Sequence, residues 1–439
     1  MQGMDRRQFL VRTGLAVSAG LLAGSLPLPK VLAQTSPPPR LDTWEAVRNQ
    51  FLLKRDWIHM TGFLLASHPA PVREAIERHR RGLDEDPATY WFEHEESAEA
   101  EVLRAAAAYL GAQPTDIALT DSTTMGLGLL YGGLTLWPGQ EILSTIHDHY
   151  STETSLRHRA ERTSASFRQI PLYKNLPAVS SDELVESLVK AVRPNTRYVA
   201  VTWVHSSTGL KLPIRAMADA LAAINAKRNE KDQVIFCVDG VHGFGVENVT
   251  VADLGCDFFT AGCHKWLFGP RGTGLVWGHP RAWTSAHATI PTFNNEAYRI
   301  WMKELPPREV PRAAAMTPGG FHSFEHRWAL DEAFKFHLAI GKERIAGRIH
   351  ELNRQLKNGL AGMKHVTLHT PMTDDLSAGI VCFEVEGMSP EQIVQALRRK
   401  LILASVTPYA TKYARLSPSL LTSPEEIDKT LAAVHRLAG

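Results

Sequence analysis

Cysteine is scarce. The 439 residues include four, Cys237, Cys256, Cys263 and Cys382, with no CxxC pair. That spacing excludes a disulfide framework and a zinc ribbon. Neither sign of charge prevails: 48 Lys and Arg face 46 Asp and Glu, so the chain lacks the basic stripe that nucleic acid demands. No apolar run approaches the about 18–20 residues of a membrane span. There is no internal repeat, and the one biased stretch is the polar, Pro-rich segment from Gln34 to Pro39. What the chain does contain is ordinary folding material, 44% hydrophobic and 8% aromatic, which excludes a disordered or fibrous protein. Its length exceeds one domain of about 100–200 residues, so two packed domains are expected.

The N-terminus reads as a targeting segment. Asp5-Arg6-Arg7-Gln8-Phe9-Leu10 puts a twin arginine ahead of a hydrophobic stretch from Gly14 to Leu26. Val31-Leu32-Ala33 then offers small residues where a signal peptidase cuts. This is the pattern of a twin-arginine (Tat) signal. Removing residues 1–33 takes four basic side chains and one acidic one from the totals and leaves a near-neutral chain. The expected location is the periplasm, with the Tat translocase as a partner during export. The Tat route carries folded proteins, so the signal also hints at a cofactor inserted before export.

From the linker onward, short β-branched runs alternate with amphipathic stretches. Strands are predicted at 117–120, 141–146, 167–171, 198–204, 234–239, 257–261 and 274–277, and helices at 97–110, 181–192 and 214–227. Alternating β and α elements imply an α/β fold with a mostly parallel, seven-stranded sheet covered on both faces. After Pro318 the character changes. Residues 329–360 read as one or two long helices, 367–369, 379–385 and 413–417 as short strands, and 391–400 and 424–437 as helices, the last capped by Ser423. The expected division is a signal at 1–33, a linker and N-terminal arm at 34–60, a large domain at 61–317 and a smaller α+β domain at 318–439.

Two segments carry the chemistry. Val234-Ile-Phe-Cys-Val-Asp239-Gly-Val-His242 is a hydrophobic strand that ends in a carboxylate and turns into a histidine. Parallel sheets bind ligands at that end of their strands. Asp257-Phe-Phe-Thr260-Ala-Gly-Cys-His264-Lys265-Trp266 is a second strand, ending in His-Lys before the Gly/Pro-rich loop Gly269-Pro-Arg-Gly272. Asp, His and His-Lys in this order suit pyridoxal 5'-phosphate (PLP). A lysine amine condenses with its aldehyde, and a buried carboxylate keeps the pyridine nitrogen protonated, so that the ring can accept charge from a substrate α-carbon.

On these motifs the chain resembles the fold-type I PLP enzymes of the class V aminotransferase family, in its isopenicillin N epimerase-like branch. The resemblance covers roughly residues 55–435. It implies a role for each matching position. Lys265 is similar to the Schiff-base lysine and proton shuttle, Asp239 to the pyridinium partner and His242 to the group near the ring hydroxyl. His264 resembles a phosphate ligand. Asp121-Ser-Thr123-Thr124-Met-Gly126 resembles the family's phosphate-binding turn, although Thr123 and Thr124 would serve equally as helix caps. In Asp148-His149-Tyr150-Ser151, His149 resembles the imidazole that stacks on the cofactor ring; with His147 it is also a potential metal pair. In His205-Ser206-Ser-Thr-Gly209, Ser206 resembles a residue that reaches the cofactor oxygens. Arg415 resembles the small-domain arginine that grips the substrate carboxylate, a task for a permanently charged, bidentate side chain; a surface ion pair is its alternative use. A homodimer is implied as well.

Departures narrow the activity. Gly262 and Ser206 stand where related cysteine desulfurases carry Ser and Asn. The segment Ala404 to Ala414, where desulfurases place their sulfur-accepting thiolate, has no Cys. The resemblance implies a small-molecule amino-acid or peptide substrate attacked at its α-carbon, in a transamination-like periplasmic tailoring reaction. The precedent in the family modifies the glutamyl side chain of pyoverdine siderophores. Epimerisation, C–S lysis and a binding protein that keeps the fold without the chemistry are the alternatives.

Overall fold

Alternation along the central strands sorts their side chains into two cores. The computed structural model describes residues 41–437; the signal and the Pro-rich part of the linker lie outside the described residues. Seven strands form one sheet: β1 Ile117–Thr120, β2 Glu141–Thr145, β3 Ser166–Ile170, β4 Thr196–Thr202, β5 Ile235–Asp239, β6 Phe258–Gly262 and β7 Gly274–Gly278. Val199, Val201, Phe236, Val238, Phe259 and Ala261 point into one core. Their neighbours Tyr198, Ala200, Ile235, Cys237 and Phe258 point into the other. Both faces are dry, as a parallel sheet between two helical layers requires.

The strand order is β1-β7-β6-β5-β4-β2-β3. Only β7 runs against its neighbours. From β2 the chain first steps outward to β3, then returns to the other side of β2 as β4 and continues through β5 and β6. The order therefore reverses between β2 and β4, where open α/β sheets form their ligand crevice. Asp148 straddles that reversal. Its buried carboxylate accepts hydrogen bonds from Ser144 Oγ (2.9 Å), Thr145 N (2.8 Å), Thr145 Oγ1 (2.7 Å) and, across the gap, Thr202 N (2.6 Å).

The smaller sheet is antiparallel, β8 Val366–Leu368, β9 Val381–Val385, β10 Ser405–Val406 and β11 Ala414–Leu416, in the order β10-β11-β9-β8. Its core joins Val381, Phe383 and Leu416 to Leu352, Leu356 and Leu360 of the helix Lys342–Ala361 and to Ile427 of the helix Pro424–His435. Ser423 caps that last helix in a reciprocal capping box with Glu426, and Pro424 fills its first turn. Residues 329–360 form two helices, Leu330–Ile340 and Lys342–Ala361, broken at Gly341, whose φ of 98° few other residues adopt. Phe334, Phe336 and Ile340 lie in the large-sheet core, so the chain crosses from one core to the other along the second helix. The arm is described from residue 41 onward. It carries the helix Trp44–Arg48, and Ile58-His59 pairs in parallel with Ile402-Leu403.

Removing the Asp148 carboxylate would leave four donors at the sheet reversal without an acceptor. Asp148→Ala is expected to lower unfolding stability by about 3 kcal/mol, measured by denaturant titration; a loss below about 1 kcal/mol would show that the strand ends hold together without it.

Candidate active site

Four strand ends bring the predicted residues to one crevice. Asp239 closes β5, His149 follows β2, Ser206 follows β4 and His264-Lys265 follow β6. The loop after β5 turns back through His242. Thr202, Asp239 and Thr260 are register neighbours on adjacent strands, and the hydroxyl oxygens of Thr202 and Thr260 have no hydrogen-bond partner among the described residues.

Ser122 caps the helix Thr123–Gly133 by accepting the Met125 amide at 3.1 Å. The amides of Thr123 and Thr124 precede the first intrahelical bonds and are available to an anion. The Thr123 hydroxyl accepts the Gly262 amide at 2.8 Å. A Cβ on residue 262 would come within 2.9 Å of that oxygen and 3.2 Å of His264 Cε1. Glycine at this point therefore lets the helix N-terminus, the end of β6 and His264 meet. The Thr124 side chain is exposed and stands apart from the group. His264 keeps a buried Nδ1 that makes no hydrogen bond among the described residues. His149 begins the helix Tyr150–Thr163, its Nδ1 within 2.8 Å of Ser151 Oγ and accepting the Ser151 amide at 3.3 Å. His147 turns elsewhere: its Nε2 accepts the Leu172 amide at 3.2 Å and its ring stacks on Tyr173 at 4.3 Å.

Lys265 Nζ lies 3.4 Å from His242 Nε2, while Trp266 Nε1 donates to His242 Nδ1 at 3.4 Å. Burial, then the charges of Lys265 and Arg415, hold the His242 pKa well below its usual value. A neutral imidazole that accepts at Nδ1 carries its proton on Nε2, so the Lys265 nitrogen facing it serves as acceptor, which only the free amine can do. The lysine is tuned to match. Burial is the largest influence and brings its pKa to about 8, with Asp239 opposing and Arg415 assisting the shift. Asp239, 2% exposed, is pushed up to about 6, by burial first and by Asp148 as well, against the Val241 amide and Lys265. Burial and the nearby cations also lower His149, and burial and Lys265 lower His264.

The small domain closes the crevice. Arg415 on β11 is 4% exposed. Its Nη1 donates to Ser206 O at 2.7 Å, its Nε to Ser405 Oγ at 3.0 Å, and its guanidinium lies 4.1 Å from the ring centre of Phe63. Among the described residues no carboxylate reaches ion-pair distance of Arg415. A guanidinium has five N–H donors, so after these contacts and a longer one to Val406 O one remains on each terminal nitrogen, the pair a carboxylate takes bidentately. Sequence reading passed over three contributors: Phe63, Asp148 and Tyr409, whose hydroxyl meets Ser206 Oγ at 2.7 Å. Asp148 stood inside a quoted motif, but its four hydrogen bonds give no local signal; Phe63 and Tyr409 are single aromatics without a motif.

These residues fit PLP. A desolvated amine, a buried carboxylate, unpartnered hydroxyls at Thr202 and Thr260, an unpartnered His264 nitrogen and a helix N-terminus match an aldehyde, a pyridine nitrogen and a phosphate. The raised Asp239 makes a prediction for the cofactor-free protein. A folded-state pKa of about 6 against an ordinary 3.8 means that stability is fully present below the lower value and is lost as pH rises through the higher. Asp239→Asn, which cannot ionise, should raise the thermal midpoint of cofactor-free protein at pH above about 7, with the gain vanishing near pH of about 4. A lower midpoint at neutral pH would contradict this electrostatic account.

Comparison with known proteins agrees with the geometry. The family profile Aminotransferase class-V matches residues 88–407. Isopenicillin N epimerase of Streptomyces clavuligerus is 26% identical over 412 residues, 90% of this chain and 98% of that protein. A probable cysteine desulfurase of Halalkalibacterium halodurans is 26% identical over 291 residues, 64% of this chain and 65% of its own. Among solved structures, the cystine C–S lyase C-DES in complex with cysteine persulfide superposes with a TM-score of 0.76 at 22% identity, over 87% of this chain and 98% of that one. The cysteine desulfurase from Thermococcus onnurineus gives 0.73 at 18% identity, over 90% and 97%. With the profile covering most of its length, the chain belongs to the class V aminotransferases, a family of PLP-dependent enzymes.

Proposed function

We propose that this enzyme acts at the amino-bearing α-carbon of an amino acid, or of an amino-acid unit in a peptide, by an aminotransferase-like reaction in the periplasm. The observation that carries the reading is the pairing, in one crevice, of a desolvated lysine amine with a buried guanidinium that has no carboxylate partner among the described residues. A buried unpaired charge is costly, and a substrate carboxylate is the partner that relieves it.

PLP, when bound, supplies an electron sink for charge that develops at the substrate α-carbon. The chain's own residues do the rest. Arg415 orients the substrate by its carboxylate. Lys265 Nζ, partly unprotonated near neutral pH, takes the α-proton and can return it. The Asp239 carboxylate would keep a proton on the cofactor's ring nitrogen, and His149, its pKa lowered by burial, would face the ring without adding positive charge. The amides of Thr123 and Thr124 with His264 would hold the phosphate, and Ser206 and His242 would lie toward the ring's oxygen.

Two further features complete the proposal. Leu64, Leu65, Ile146 and Tyr150 are apolar or aromatic, lie within two positions of Phe63, Asp148 or His149, and are 59%, 55%, 59% and 73% exposed; a second copy of the chain would cover them, as in a homodimer. Export rests on Arg6-Arg7 and Val31-Leu32-Ala33, and the periplasmic task it suggests is tailoring of a peptide-borne glutamyl unit, as in pyoverdine maturation. Epimerisation is the second reading, favoured by similarity to isopenicillin N epimerase along nearly the whole of both chains. C–S lysis would share the same first proton transfer. A desulfurase's sulfur acceptor has no candidate: the four cysteines are buried and burial pushes every thiol pKa up. A binding protein without chemistry would have no use for Lys265 and Asp239 together.

PLP-loaded protein offered amino acids and glutamyl peptides deuterated at the α-carbon should release the deuterium and yield an oxo product. Inverted configuration would select epimerisation, and pyruvate with a sulfur product would select C–S lysis. Full retention of deuterium by every substrate would contradict the reading. Lys265→Ala should slow the exchange by about 10³-fold or more. For export, Arg6→Lys with Arg7→Lys should leave active, loaded enzyme in the cytoplasm on fractionation; undiminished periplasmic enzyme would refute the Tat assignment.

A further inference from the structure

Tyr409 belongs to the turn between β10 and β11, the small-domain segment in which no cysteine occurs. Its side chain crosses to the large domain. The hydroxyl meets Ser206 Oγ at 2.7 Å, and the ring stands edge-on to His149 with centres 6.2 Å apart. Ser206 is thereby held at two points by one domain: its carbonyl accepts from Arg415 and its hydroxyl meets Tyr409. The same loop is gripped again where the Thr370 hydroxyl donates to Thr208 O at 2.7 Å. Tyr409 has no other hydrogen-bond partner among the described residues, and burial raises its phenol to about 12, so it stays protonated and remains a donor at neutral pH.

We propose that Tyr409 is a positioning residue for the cofactor. Its O–H donates to Ser206 Oγ, and the Ser206 hydroxyl, with that lone pair taken, turns its own proton toward the cofactor's ring oxygen. Tyr409 thus makes cofactor binding by the large domain depend on closure of the small one. One proton occupies the 2.7 Å contact between Tyr409 and Ser206; when the phenol supplies it, the Ser206 hydroxyl proton is free to point into the crevice. The inference rests on the reading that Ser206 touches the cofactor, and the experiment separates the two.

The test is a double-mutant cycle on PLP affinity, measured by fluorescence titration of cofactor-free protein with Ser206→Ala, Tyr409→Phe and the double variant, together with the pH midpoint of the bound cofactor's absorption band. Phenylalanine keeps the ring against His149, and the thermal midpoint of each cofactor-free variant verifies folding. Each single change is expected to weaken PLP binding about fivefold and to shift the absorption midpoint. The double variant is expected to be no weaker than either single one, because both remove the same contact. Weakening by Ser206→Ala with wild-type affinity and midpoint in Tyr409→Phe would overturn the role of Tyr409 while leaving Ser206 in place. Multiplicative losses in the double variant would also overturn it. Wild-type behaviour of Ser206→Ala would overturn the cofactor contact of Ser206, and the role of Tyr409 with it.

Discussion

Desolvation of charge is the constraint on which this molecule turns. Asp239 and Lys265 are removed from water at the carboxyl ends of large-sheet strands and Arg415 in the middle of an antiparallel strand of the small sheet, and none of them forms an ion pair among the described residues. Each shows the effect in the direction physics requires: the carboxyl is pushed up to about 6, the amine down to about 8, and the guanidinium downward as well. An unpaired buried charge costs several kcal/mol even after relaxation. The fold tolerates this because the strands that present these groups are dry on both faces, and because the strand ends are tied by a carboxylate that is fully satisfied, Asp148. A ligand that brings a pyridinium, an aldehyde, a phosphate and a carboxylate replaces what the groups lost, so its binding free energy is also folding free energy.

The small domain completes the site instead of standing beside it. Arg415 and Tyr409 both reach Ser206, and Phe63, from the segment between the arm and the first long helix, packs under the guanidinium while lying 6.1 Å from the His242 ring centre. The proposed substrate contact, Arg415, and the proposed cofactor contact, Ser206, therefore meet at one loop. Movement of the small domain would alter both together, which gives substrate binding a physical means of preparing the cofactor end of the site.

Much of this was legible in the amino-acid order. The large-sheet strands fall within two residues of their predicted spans, because β-branched and aromatic runs bounded by Gly, Asp and Asn have few other uses. The placing of Asp239 at a strand end, and of His242 and Lys265 just beyond one, was legible because each lies in a run long enough to be distinctive. Phe63 and Tyr409 were not, since their meaning lies in contacts to residues some 200 positions away and nothing adjacent marks them. The break at Gly341 inside residues 329–360 was open for a similar reason: a single glycine is compatible with one long helix or two, and packing against separate cores decides between them. Thr124 shows the reverse case, a motif position whose side chain faces solvent while only its amide faces the site.

The central claim is that Lys265 is the desolvated amine that holds PLP. It is tested most directly by loading the protein with PLP, reducing it with borohydride and mapping the modified peptide by mass spectrometry at pH values on either side of about 8. The account predicts a single modified residue, Lys265, with loading that quickens as pH rises through that value. Modification spread over surface lysines, or confined to a residue other than Lys265, would contradict it.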